Sequence, residues 1–151
     1  MRKLTRSSTK RLITCVLAVA LNISTGGPSL AGGGAIEITP ERSSACAKAD
    51  KRYAKLYPGA ESGNVVIVKL YKYNFCPANI SIKAGTTVRW VNVDKRTSHS
   101  VWLKQAKVEE SERFFPEETW DYTFEQPGQY PYLCGPHGKD EGMNGYVKVL
   151  P

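Results

Sequence analysis

Tyr130-Pro131-Tyr132-Leu133-Cys134-Gly135-Pro136-His137-Gly138-Lys139-Asp140-Glu141-Gly142-Met143-Asn144-Gly145-Tyr146-Val147-Lys148-Val149 reads as a strand, a glycine-rich loop and a second strand. The Gly135-Pro136 turn lets the Cys134 sulfur and a His137 nitrogen point at one place. Cys-x-x-His alone is as often half of a zinc site. Met143 changes the balance, since a thioether is a poor ligand for zinc and a good soft ligand for copper. Its bland alternative is a core-filling side chain, although the only other methionine is Met1. Glycines at 138, 142 and 145 leave the loop free to fold around an ion.

Working outward, the only other histidine is His99. In isolation it would read as a surface residue. It follows the polar stretch Asp94-Lys95-Arg96-Thr97-Ser98, between a strand at Thr87-Val88-Arg89-Trp90-Val91 and one at Ser100-Val101-Trp102-Leu103, and no other histidine can complete the site. One thiolate, two imidazoles and a thioether form the set His99, Cys134, His137 and Met143, which suits one copper ion in either oxidation state. Such a set binds Cu(I) through its sulfurs and either state through its nitrogens, so an electron can arrive with little rearrangement.

The remaining pattern is mostly β. Val65-Val66-Ile67-Val68 with Leu70, Tyr71 and Tyr73, then Ile80-Ser81-Ile82 and Trp120-Asp121-Tyr122-Thr123-Phe124, are β-branched or aromatic runs set between turns. With the strands already named they make about seven, and predict an all-β antiparallel sandwich over 63–151. The charged segment 104–116 is expected to be a surface crossover. Phe114, Phe115, Tyr132 and Pro136 are the candidates for an apolar shell around the site. Residues 32–62 form an N-terminal extension with a short helix. Thr39 is placed to cap it, Pro40 to occupy its first turn, and Ala45, Ala49, Tyr53 and Leu56 to line one face through Ala60, before Pro58-Gly59 stops it.

The N-terminus reads as an export signal. Residues 1–11 carry five basic and no acidic side chains, 12–23 are apolar, and Ser29-Leu30-Ala31 offers a cleavage site after Ala31. Gly26, Gly27 and Pro28 interrupt the apolar run below spanning length, which disfavours an uncleaved anchor and stable membrane insertion. Removing 1–31 takes five of the 21 Lys/Arg, leaving 16 against 14 Asp/Glu, a net +2 that gives no sign of nucleic-acid binding. It also leaves three cysteines. If Cys134 is a ligand, Cys46 and Cys76 remain to pair; pairing Cys134 with either would remove the thiolate from the site.

Phe75-Cys76-Pro77, Ile80-Ser81-Ile82, Gly85-Thr86-Thr87-Val88-Arg89-Trp90-Val91-Asn92-Val93-Asp94, His99-Ser100-Val101 and the stretch from Pro127 to Gly145, taken in order, resemble the cupredoxins, the small blue copper proteins. The branch most resembled holds plastocyanin, pseudoazurin and amicyanin, and the likeness covers about residues 64–151. The resemblance implies a Greek-key β-sandwich and one type 1 copper. It also implies His99 and His137 as imidazole ligands, Cys134 as the thiolate and Met143 as the weak axial ligand, with His137 at the edge where electrons pass. Two features depart from the pattern: the five-residue gap between His137 and Met143, and the extension at 32–62.

The function expected is a secreted, periplasmic one-electron carrier, monomeric and not an enzyme, between a redox protein donor and acceptor. A copper storage or delivery protein would want more exposed Met or His. A copper enzyme would need histidines for a second metal. An electron-entry subunit of a redox enzyme and a stapled sandwich binding zinc or nothing are the remaining alternatives.

Overall fold

Val65–Tyr71 (β1) is apolar on both faces because both faces are covered. Val66, Val68 and Leu70 point into the main core, while Ile67 and Tyr71 point the other way, into a second cluster beneath the helix. The computed structural model describes residues 34–60 and 63–151. The expected export signal and cleavage site lie outside the described residues. Among the described residues no helix is long and apolar enough to cross a membrane.

Asn74–Cys76 (β2), Asn79–Lys83 (β3), Thr86–Asn92 (β4), Thr119–Phe124 (β5), Gly128–Leu133 (β6) and Asn144–Leu150 (β7) complete the strands. They form a sheet of order β2-β1-β4-β5 and a second of order β3-β7-β6, the two layers of a β-sandwich. The expected all-antiparallel pairing is corrected at two places. β1 runs parallel to β4 and β3 parallel to β7, while β1/β2, β4/β5 and β6/β7 are antiparallel. The chain crosses to the second sheet at β3 and returns at β4 beside β1, so the two strands need not alternate in direction. Trp90, Phe75, Phe124 and Tyr132 fill the interior; Tyr132 meets Phe75 and Trp90 edge-to-face at 4.7 and 5.5 Å between centroids.

The segment expected to be a strand at 100–103 makes only isolated bridges, His99 with Phe114 and Trp102 with Leu133. It bonds to a different neighbour at each end, which keeps it out of either ladder. Segment 104–116 contains a 3-10 turn at Lys104–Ala106, and it is not wholly superficial, because Phe114 is buried.

Pro40–Leu56 (α1) begins as expected, with Thr39 Oγ1 accepting from the Arg42 N–H at 3.3 Å. It stops at Leu56 instead of running to Ala60, since Tyr57 precedes Pro58 and a residue before proline is disfavoured in helical conformation. Ala49 is wholly buried, and with Cys46, Tyr53 and Leu56 it packs the helix on the outer face of the first sheet against Val91 and Val93. Cys46 and Cys76 are joined by a disulfide, which ties α1 to β2.

Candidate metal centre

Cys134 follows the last residue of β6 and Met143 precedes the first of β7, so adjacent strands deliver both ends of the loop together. The Cys134 N–H donates to the Met143 carbonyl at 3.0 Å and closes the loop at its base. Inside it, the Gly138, Glu141 and Met143 N–H groups donate to the carbonyls of Cys134, His137 and His137, at 2.7, 3.2 and 3.1 Å. Gly138 has no room for a side chain: a Cβ there would lie 2.7 Å from the Cys134 oxygen and 2.9 Å from Leu133 Cδ1. The turn brings His137 Nδ1 to 3.4 Å from Cys134 Sγ.

His99 arrives from the opposite side. Its backbone is fixed by paired hydrogen bonds with Phe114 at 3.1 and 2.9 Å, and its Nδ1 lies 3.9 Å from Cys134 Sγ. Nε2 lies 2.9 Å from Asp94 Oδ2. Donation from Nε2–H to that carboxylate leaves the Nδ1 lone pair facing the sulfur, the tautomer a metal ligand needs. Asp94 is itself held by the Lys72 N–H at 2.9 Å. The buried Asn92 braces the intervening loop, accepting from the Asp94 N–H at 2.9 Å and donating to the Thr97 and Phe114 carbonyls at 2.8 and 3.1 Å.

Three donor atoms, one each from His99, Cys134 and His137, thus lie within 4.8 Å of one another. Nitrogen and sulfur bound at about 2.0 and 2.3 Å, with an opening angle between trigonal and tetrahedral, sit roughly 3.6 Å apart. The separations of 3.4 and 3.9 Å bracket that value, so the donors fit a single ion. Met143 is fully buried, in the core cluster that includes Cys134.

The electrostatics suit a thiolate. Burial pushes the Cys134 thiol up, but in the metal-free site hydrogen bonds from His99 in its imidazolium form and from the Ser100 and His137 backbones outweigh it and hold the thiol below the ordinary cysteine range. The Ser100 N–H reaches Sγ at 3.5 Å, and the Ser100 hydroxyl accepts from the Gly135 N–H at 3.1 Å. Burial opposes charge on His99, yet its bonds to Asp94 and Cys134 raise its pKa. Burial, then His99 and Arg113, lower that of His137.

His99 is entirely buried, whereas His137 is only partly so and carries the Tyr73 ring at 4.8 Å between centroids. Of the expected shell, Phe114 and Tyr132 are buried; Phe115 is corrected to the surface at 56 % exposed, and Pro136 is exposed too. Phe114 is turned inward by its pairing with His99, which sends its neighbour outward. Sequence reasoning missed Asp94, Asn92, Ser100 and Tyr73. Asp94 and Ser100 carried a faint signal in their closeness to His99; Tyr73 carried none.

A copper-protein sandwich is the class that this fold and donor set define. A family model described as copper binding proteins, plastocyanin/azurin family, matches residues 64–150, and the chain belongs to that family. Its cofactor is one type 1 copper ion. Amicyanin from Paracoccus versutus is 33 % identical over 78 residues, covering 49 % of this chain and 58 % of the relative. Plastocyanin from Scenedesmus fuscus is 32 % identical over 101 residues, covering 60 % of this chain and 93 % of the relative. The crystal structure of the Paracoccus versutus amicyanin superposes with a TM-score of 0.52 at 30 % identity, over 61 % of this chain and 86 % of that one.

Proposed function

We propose that His99, Cys134, His137 and Met143 hold the copper, and that the chain is a periplasmic one-electron carrier, exported through residues 1–31, monomeric and without catalysis of its own. When bound there, copper supplies a centre that accepts and returns a single electron. The protein's part is to keep the donors still. The observation that carries this reading is the convergence of two Nδ1 atoms on one buried sulfur, with His99 locked by Asp94 and His137 left toward solvent. A fixed donor set costs little reorganisation, and a partly exposed imidazole gives the electron a short way out. Both histidines of the chain are used in this one site, which supports a carrier over an enzyme with a second metal.

The surface around that exit supports a choice of partner. Lys72, Lys95 and Arg96 line a shallow cleft with Tyr73, whose ring packs on His137. An acidic donor or acceptor would be drawn to this cleft, whose one carboxylate, Asp94, is buried against His99 while its three cationic side chains are exposed, because exposed charge of one sign raises the rate of encounter with the opposite charge. Electron exchange with an anionic small complex should therefore slow as salt is added, and exchange with a cationic one should not. The reverse pattern would refute the choice.

The site itself is tested by the visible spectrum of the purified protein after one equivalent of Cu(II), and again after mild reductant. An intense band that bleaches and returns on reoxidation is the expected result. A protein that stays colourless with copper and binds zinc in its place would overturn the reading.

A further inference from the structure

Met143 sits at the end of a loop with glycines at 138 and 142, where Gly142 has φ +63°. Hydrogen bonds at its own N–H and carbonyl tie the Met143 backbone to His137 and Cys134, and the two residues that flank it, one of them a glycine with many conformations open to it, are held from outside the loop. Arg42, in the first turn of α1, bonds to both residues that flank Met143. Its Nη2 donates to the Gly142 carbonyl at 3.5 Å and to Asn144 Oδ1 at 3.3 Å, and its Nη1 donates to the Asn144 carbonyl at 3.4 Å. Each bond is long, but three charge-assisted bonds from one planar, half-buried guanidinium fix a direction as well as a distance. Toward the other end of the same helix, Arg52 donates to the carbonyls of Val93 and Asp94, the second being the residue that orients His99. Between them the Cys46–Cys76 disulfide ties the helix to β2.

We infer that Arg42 is a positioning residue for Met143, through which the N-terminal helix sets the axial ligation of the copper. The inference rests on the ligand set proposed above. It gives the extension a role in tuning the site, and it explains how a five-residue gap between His137 and Met143 still delivers a defined thioether. An axial ligand is a recognised control on the potential of such a centre, and groups that hold a ligand matter nearly as much as the ligand.

The test uses the full protein with Arg42→Met, which keeps the apolar stem and removes the donors, and Arg42→Lys, which keeps the charge. Lys48→Met, exposed on the same helix, is the control. In the copper-loaded protein, Arg42→Met should move the reduction potential and the visible and electron-paramagnetic spectra toward those of Met143→Leu. Arg42→Lys should lie between it and wild type, and Lys48→Met should match wild type. In the Met143→Leu background, Arg42→Met should add nothing. In metal-free protein, the Met143 and Cys134 amides should exchange at least about tenfold faster in Arg42→Met, with exchange in β4 unchanged. An unchanged potential and spectrum in Arg42→Met, or an equal shift with Met143 already replaced, would overturn the inference. A wild-type protein that never turns blue would instead sink the copper reading. The exchange arm needs no metal, and unchanged loop amides there would refute the hold of Arg42 on the loop.

Discussion

Replacing both Cys46 and Cys76 with alanine should cost this protein a large share of its stability and leave its metal site intact. The two cysteines are 30 residues apart in sequence, and the chain-entropy relation for a loop of that length gives about 3.6 kcal/mol at room temperature. Cys76 is 1 % exposed, so vacating its buried volume adds roughly 1 kcal/mol. The sum of about 4–5 kcal/mol is set against a typical total of about 5–15. Urea unfolding of the metal-free protein, followed by tryptophan fluorescence, measures it. A loss below about 1 kcal/mol would refute the reasoning, because the unfolded chain would then have to keep α1 against β2 without the bond. Single replacements separate stability from chemistry. Cys46→Ala leaves Cys76 free to pair with Cys134 when the chain is refolded under oxidising conditions, so protein refolded that way should lose copper binding that the double variant retains.

Three further outcomes are expected. Asp94→Ala should weaken Zn(II) or Cu(II) affinity by about 10–100-fold in competition with a chelator, since His99 loses the partner that fixes its tautomer; unchanged affinity would mean that His99 is oriented by other groups. Gly145→Ala should destabilise by about 1–3 kcal/mol in the same urea assay, because the new methyl would fall on the Tyr132 ring, itself wedged between Phe75 and Trp90. A variant as stable as wild type would show that this part of the core yields. Cys134→Ser should abolish the visible band while circular dichroism stays that of the folded sandwich, and any retained blue colour would remove Cys134 from the site.

The candidate site was legible from sequence where chemistry and spacing are local. Cys134, His137 and Met143 fall in one loop between two readable strands, and His99 followed from the absence of any other histidine. What positions them was not legible, because it is brought together from afar. Lys72 and Asp94 are 22 residues apart, and Arg42 and Asn144 are 102 apart. Strand alternation reads the same whether a neighbour runs parallel or antiparallel, which is why β1 beside β4 and β3 beside β7 were misjudged. A doubly apolar strand such as β1 could in principle have signalled a second covered face, and the amphipathic pattern of α1 was its counterpart. The exposure of Phe115 against the burial of Phe114 depended on the bridge to His99, a pairing that no periodicity announces.

The hairpin joining β1 to β2 turns on Lys72 and Tyr73, with φ values of +46° and +60°. Side-chain-bearing residues hold that left-handed conformation at a cost of about 1–2 kcal/mol each, and Asn-Gly would suit so short a turn far better. The strained turn is nevertheless what aims the Lys72 N–H at Asp94 and lays the Tyr73 ring on His137. An engineer who relaxed it to Asn-Gly would gain a tougher scaffold and strip the aromatic cover from His137, the proposed exit of the electron. At these two residues durability and conductance pull in opposite directions.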